Sequence, residues 1–344
     1  MRTPFIVFAL LLATSRAPAA QLHRPLDIYF IDVEGGQATL FVTTTGESLL
    51  IDTGFPGFND RDVNRVLDTI KQAGLAKLDY LLITHHHADH VGNAAAIAAR
   101  IPVGTFIDHG PTIETTPAAT ALYDSYAKAI GKSHHMLAKP GDTIPLRDLD
   151  VTIVASNGEH ISRPPGGSAV PNPLCGAFKP KDPDPSENAR SVGAIIAFGR
   201  FRMADLGDLT WNKEQELVCP NNLLGTVDLY LTTHHGTDAS GPPVIVHALK
   251  PRVAIMNNGA TKGGSAEAWQ TVHDSPGLED LWQLHYAKAG GKDHNVAESM
   301  IANPDESTAF LIKVSAQRDG TFTVTNARTK LTKTYQAPNA GGPR

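Results

Sequence analysis

Residues 78–90 read LDYLLITHHHADH: an apolar run rich in β-formers that stops at a threonine and passes directly into four histidines and an aspartate. A run of that kind is a strand buried from both sides. The fold must therefore bury it while leaving its C-terminal end open. From the turn that follows, the ring nitrogens of His85 and His87 can converge on one metal ion, and Asp89 and His90 can address a second ion beside it. Nitrogen and carboxylate donors without thiolate suit zinc first, with manganese or iron also acceptable. A lone surface histidine is ordinarily decoration; this density after a buried strand is not. A transport or storage site is the weaker rival.

The rest of the chain alternates strands and helices. Runs at 27–33, 39–43 and 48–51 read as consecutive strands joined by tight turns. Val63, Val66, Leu67 and Ile70 then fall at helical spacing, in a segment that Gly74 stops. Helices are expected at 90–99 and 116–131, with a strand at 103–107. The second half repeats the pattern, with strands at 151–154, 191–198, 201–205, 227–232 and 253–256. Helices are expected near 243–249, 266–272 and 278–284, and a closing hairpin pairs 308–314 with 321–324. Strand clusters on both sides of residue 150, with helices between, predict an α/β (α+β) chain of two facing sheets with helices outside. The Pro-rich stretch 162–188 cannot be regular structure. It reads as an ordered surface loop near the site, a mobile insertion being the alternative.

Two further strand ends complete such a site. MADLGDL, at 203–209, puts Asp208 after a glycine, where its carboxylate could bridge two cations or merely shape a turn. LTTHHG, at 231–236, is another buried strand ending in histidines, one of which is expected to ligate. Asp52 ends the strand LLIDTG, where an unpaired charge would be costly. It is expected to orient a metal ligand or the reacting water, with a turn cap as the plainer role. Asn257, Asn258, His285, Tyr286, Lys292 and His294 are candidate pocket residues, the last two as anion holders.

The segment His85-His86-His87-Ala88-Asp89-His90 resembles the H-x-H-x-D-H mark of the metallo-β-lactamase fold hydrolases, over roughly residues 27–260. That resemblance implies an αββα sandwich of two mixed sheets with the metals at one edge. It implies Asp52 as the early aspartate, Asp208 as the bridging one and His234 as the last histidine, with His235 the alternative. The implied metal set is His85, His87, Asp89, His90, Asp208 and His234, with Asp89, Asp52 and Asp208 serving the chemistry. With His234 taken from the resemblance, loss of His235 is expected to be the milder, because neighbours in an extended strand end face opposite ways. Asp32-Val33-Glu34-Gly35-Gly36-Gln37-Ala38, Asn188 to Ser191, Leu206 to Asp208 and His234 to Thr237 are similar to motifs of the extracellular domain of DNA-uptake competence proteins (ComEC type). Many relatives carry a third histidine near 155–157 for the first metal. Here the nearest is His160, three or four residues late.

Two cations would supply hydroxide at neutral pH, so no Ser-His-Asp arrangement is required. The expected activity is that of an exported binuclear hydrolase acting on a phosphodiester or phosphoester, a phosphodiesterase in the broad sense. A β-lactamase or lactonase is the alternative, and a non-enzymatic, metal-containing binding or uptake component is the rival class. Export is read from Arg2, the apolar run behind it and Ala17-Pro18-Ala19, a signal peptide over 1–19 with cleavage at Ala19 or Ala20. The mature protein would be periplasmic or secreted, without a membrane span, and form a single domain over 20–335 with a disordered tail at 336–344. Losing Arg2 and Arg16 moves the net charge from −5 to −7, which argues against stable coating of nucleic acid and for a small or locally bound substrate. Outside a reducing compartment Cys175 and Cys219 could pair or remain separate thiols.

Overall fold

The computed structural model describes residues 24–337. The segment assigned to export, and residues 338–344 of the tail, lie outside them. Two large sheets form the interior. In spatial order the first runs Thr332–Tyr335, Phe322–Asn326, Ile312–Ala316, Leu26–Phe30, Thr39–Val42, Ser48–Ile51, Leu78–Leu82, Val103–Asp108, His134–Leu137. The second runs Ile301–Asn303, Asp280–His285, Val253–Met256, Leu229–Leu231, Phe201–Asp205, Gly193–Phe198, Leu149–Ser156, Thr143–Leu146.

Period-two alternation places the core. Leu26, Ile28 and Phe30 point to the second sheet and meet Ile153, Phe201 and Leu229 in a single inter-sheet cluster. Ile31, Leu40 and Leu50 face the other way, onto the helices Arg61–Gln72, Ala94–Ala98 and Pro117–Ile130. On the far side Ile195, Ala204 and Tyr230 pack with Val244, Leu249 and Trp269 of Pro243–Leu249 and Ala266–His273. Helix, sheet, sheet and helix are thus stacked in four layers, the metallo-β-lactamase sandwich.

Two expectations need correction. Residues 278–284 are not a helix: Asp280–His285 is a strand, parallel to Val253–Met256. Leu278, Leu281, Trp282 and Leu284 mimic helical spacing because a strand covered on both faces is apolar throughout. The sheets also do not divide the chain at residue 150. The closing hairpin returns to the first sheet, Ile28 facing Val314, and Thr143–Leu146 lies in the second.

Strand direction positions the site. Ser48–Ile51 and Leu78–Leu82 are parallel, as are Phe201–Asp205 and Leu229–Leu231. Asp52, His85, Asp208 and His235 therefore leave their strands near one edge of the sandwich.

Candidate metal centre

His90 stands at the middle of this edge. Its Nδ1 donates to Asp52 Oδ2 at 2.7 Å, and its Nε2 lies 3.2 Å from His235 Nε2, 3.3 Å from Asp89 Oδ2 and 3.2 Å from Asp208 Oδ2. Asp89, His90, Asp208 and His235 form one compact buried group. Beside it His85 Nε2 and His87 Nδ1 meet at 3.0 Å, with Asp208 Oδ2 3.9 Å from His85 Nε2. Asp208 thus faces both histidine pairs.

The donor set fits divalent cations. His90 spends its Nδ1 hydrogen on Asp52, and His87 can spend its Nε2 hydrogen on Glu114 Oε1 at 2.9 Å. In the neutral tautomers the remaining nitrogens, His90 Nε2 and His87 Nδ1, turn lone pairs toward the cluster. Asp208 Oδ1 is buried with no hydrogen-bond partner, a costly arrangement that a cation would relieve. The charge balance points the same way. Burial would lower the His90 imidazole, but Asp208, Asp89 and Asp52 lift it well above its usual range. Burial would raise Asp208, but His235, His90 and His234 hold it well below the carboxylate range. His85, by contrast, is driven well down by burial, with His90 adding to the effect.

Local backbone explains which of the two late histidines enters. His234 and His235 have φ of 55° and 57°, so the chain winds through a left-handed turn and the alternation rule for strands does not hold. His235 Nε2 reaches Asp89 Oδ2 and Asp208 Oδ1, each at 3.3 Å. His234 stays at the margin, its Nε2 3.4 Å from Asp208 Oδ2 and its Nδ1 3.2 Å from Ser240 Oγ. The resemblance implies His234, whereas the compact group in the structure contains His235. Gly207 allows the turns to close, for a Cβ on it would come within 2.9 Å of Thr84 Cβ, and its φ is already 56°. Gly263 does the same behind His235, whose carbonyl oxygen would lie 2.2 Å from an added Cβ.

Comparison with known proteins agrees with this geometry. A family model described as the metallo-beta-lactamase superfamily matches residues 32–176. A UPF0173 protein of Pyrococcus abyssi is 28% identical over 68% of this chain and 86% of its own. Over residues 32–176 the chain is thus similar to the metallo-β-lactamase superfamily. A UPF0173 metal-dependent hydrolase of Cupriavidus necator is 27% identical, over 69% of this chain and 77% of its own. Among solved structures, the metallo-beta-lactamase fold protein YhfI from Bacillus subtilis aligns with a TM-score of 0.46 at 11% identity, covering 76% of this chain and 96% of that one.

The chain departs from the expected pattern on the side of His85 and His87. Ser156, at the end of its strand, donates to Ala138 O at 2.7 Å. His160 sits on a short outer strand, 38% exposed, 3.3 Å from Glu216, and does not join the cluster. The pair thus has Asp208 and no third histidine among the described residues. Lys292 and His294 are not brought to the cluster: His294 packs edge-on against Trp269 and lines another cavity with Glu267 and Asp274. His285 is buried and bonded to Asp32 Oδ1 at 2.7 Å.

Three residues of the site were not legible in advance. The Lys262 ammonium contacts Asp89 Oδ2. Glu114 holds His87. Glu187, at the end of the Pro-rich loop, accepts from His86 N at 3.1 Å, His109 Nε2 at 2.9 Å, Thr112 Oγ1 at 2.8 Å and Ile113 N at 2.6 Å. Burial alone would raise its carboxyl, yet the His109 bond and charge and these other donors bring it down to about 2. Asp205 is buried behind the site and pushed up to about 6, while Gln37 Nε2 donates to both its oxygens.

Proposed function

We propose that this metal-dependent hydrolase is exported, works with two divalent ions, zinc first, and cleaves a phosphodiester or phosphoester. The observation that carries the binuclear reading is Asp208, whose Oδ2 lies 3.9 Å from His85 and 3.2 Å from His90 while its Oδ1 lies 3.3 Å from His235. His85, His87 and Asp208 would hold one ion, and Asp89, His90, His235 and Asp208 the other. Bound there, the ions supply Lewis acidity that yields hydroxide near neutral pH and offsets charge building on the attacked centre.

The chain's own residues do the rest. Asp52 fixes the tautomer of His90, and Glu114 that of His87. Asp208 spaces the two donor sets. Lys262 supplies the fixed positive charge that an anionic substrate oxygen needs. A small or locally bound phosphoester suits this better than a long polyanion, because the mature charge would be −7. The DNA-uptake-like branch is retained within this proposal for the motifs it shares. Export finds support in the Cys175–Cys219 disulfide, a bond at home outside reducing compartments.

The test compares zinc and manganese forms on bis-p-nitrophenyl phosphate, single-stranded DNA, a phosphorylcholine ester, nitrocefin and an acyl lactone, each beside D208A. Phosphoester turnover that D208A abolishes is expected, with close to two metal equivalents by elemental analysis. Nitrocefin or lactone turnover far above every phosphoester would replace the substrate assignment. A mature terminus at Ala20 or Gln21 is expected from mass spectrometry of exported material.

A further inference from the structure

Lys262 does more than touch Asp89. It also forms part of the wall of a cavity of about 370 Å³ shared with Glu34, Phe55, Phe58 and Arg61. Phe58 is 63% exposed, and one exposed aromatic needs no explanation by itself. Its backbone does. Gly57, Phe58, Asn59 and Asp60 have φ of 85°, 50°, 56° and 61°. Glycine, asparagine and aspartate tolerate that region, whereas phenylalanine rarely enters it. A strained segment that holds a large apolar ring out toward solvent, next to a metal cluster, is the kind of feature found where a ligand is gripped.

The surroundings hold that ring in place. Arg61 spreads its guanidinium 4.5 Å from the Phe58 centroid. Asp62, fully buried, fixes Arg61 through bonds of 2.6 and 3.1 Å and also accepts from Phe55 N at 2.9 Å. The two phenyl rings stand edge to face, 6.3 Å between centroids, and Lys262 Nζ lies 5.3 Å from that of Phe55. Glu34 is engaged by Arg65. A cation at Asp89 would compete with Lys262 for the same carboxylate oxygen, freeing the ammonium for a substrate anion.

We propose that this cavity is a substrate subsite for a flat aromatic ring, gripped by Phe58 and Arg61, while Lys262 holds the anionic oxygen between ring and metal centre. The substrate class is then an aryl or nucleoside phosphoester rather than an alkyl one, an assignment that rests on the phosphoester reading above. Phe58 is the specificity-determining residue.

Calorimetry on the zinc-loaded full chain tests this with ligands that are not turned over. Phenylphosphonate should bind about tenfold more tightly than methylphosphonate. F58A should bring the two within about twofold through loss of phenylphosphonate affinity, with zinc content retained. F58L, which keeps an apolar side chain without a flat ring, should behave like F58A, and K262M should weaken both ligands alike. The methylenephosphonate analogue of adenosine 5′-monophosphate, whose P–C bond is not cleaved, beside phenylphosphonate tells a nucleobase from a small aryl group. Equal affinities in the wild type, or a preference that F58A retains, would overturn the subsite. If no phosphonate binds while a lactone is hydrolysed, the phosphoester reading falls, and benzoate against acetate then decides the ring preference by the same F58A comparison.

Discussion

Asp52 and His90 are joined by a 2.7 Å hydrogen bond in which both side chains are fully buried. Thr84 N and Thr84 Oγ1 each donate to the same carboxylate at 2.7 Å. An asparagine could serve one of these donors with its single oxygen but would present NH2 to another. With NH2 toward His90 Nδ1, the imidazole must carry its hydrogen on Nε2, and the lone pair facing the cluster is lost. D52N is therefore expected to weaken metal binding at the His90 site by about 10–100-fold while the protein still folds. Chelator competition measures this directly; an unchanged affinity would mean that Asp52 only shapes its turn.

His234 and His235 should separate cleanly. His235 reaches Asp89, Asp208 and His90, while His234 reaches Asp208 Oδ2 at 3.4 Å and Ser240. H235A should lose about one metal equivalent and nearly all hydrolysis. H234A should keep its metal and lose activity mildly. Elemental analysis of both proteins, purified identically, settles the order, and the reverse result would restore His234 as the ligand.

What could be read from the sequence divides along physical lines. Buried strands that end in polar residues were legible because both halves of that signal are local: LDYLLIT with its histidines, LLIDTG with Asp52, MADLGD with Asp208. Which of His234 and His235 enters the compact group depends on two left-handed residues, and histidine gives no hint of them. Lys262 lies in NGATKGG, which reads as a linker until folding brings it to Asp89, 173 residues earlier in the chain. Glu187 is hidden for the same reason, since its partners stand 74 to 101 residues away. Strand 280–285 passed for a helix because burial on both faces erased its period.

Glu187 is expected to matter out of proportion to its distance from the chemistry. It ties His86, between His85 and His87, to the segment 109–113, and the next residue, Glu114, holds His87. A glutamine retains one acceptor oxygen, leaving about two buried donors unsatisfied at a cost of about 1–3 kcal/mol each. E187Q should lower stability by about 2–6 kcal/mol and weaken metal selectively at the His85–His87 pair. Hydrogen exchange should show residues 109–114 losing protection, with the second metal retained. Uniform loss of both metals would reduce Glu187 to a general structural brace.

Glu214 governs a separate pH response. It is fully buried, and burial pushes its carboxyl up to about 8, with the Gly241 amide at 2.6 Å offsetting only part of that. In the unfolded chain the same group ionises near 4.5. Between these values the folded state keeps a proton that the unfolded state has released, so stability falls as pH rises through this window. The full loss on reaching pH 8 is on the order of 4–5 kcal/mol at most. Asp205, pushed up to about 6, acts in the same direction at lower pH, so the measurement belongs between pH 6.5 and 8. E214Q cannot ionise and should flatten the decline of Tm across that range, becoming more stable than the wild type at pH 8. It should leave metal content unchanged, because Glu214 bonds Gly241 N and Thr233 and touches no histidine of the cluster, and a glutamine keeps an oxygen for the Gly241 amide. If the wild type and E214Q lose Tm in parallel over that range, another group carries the response.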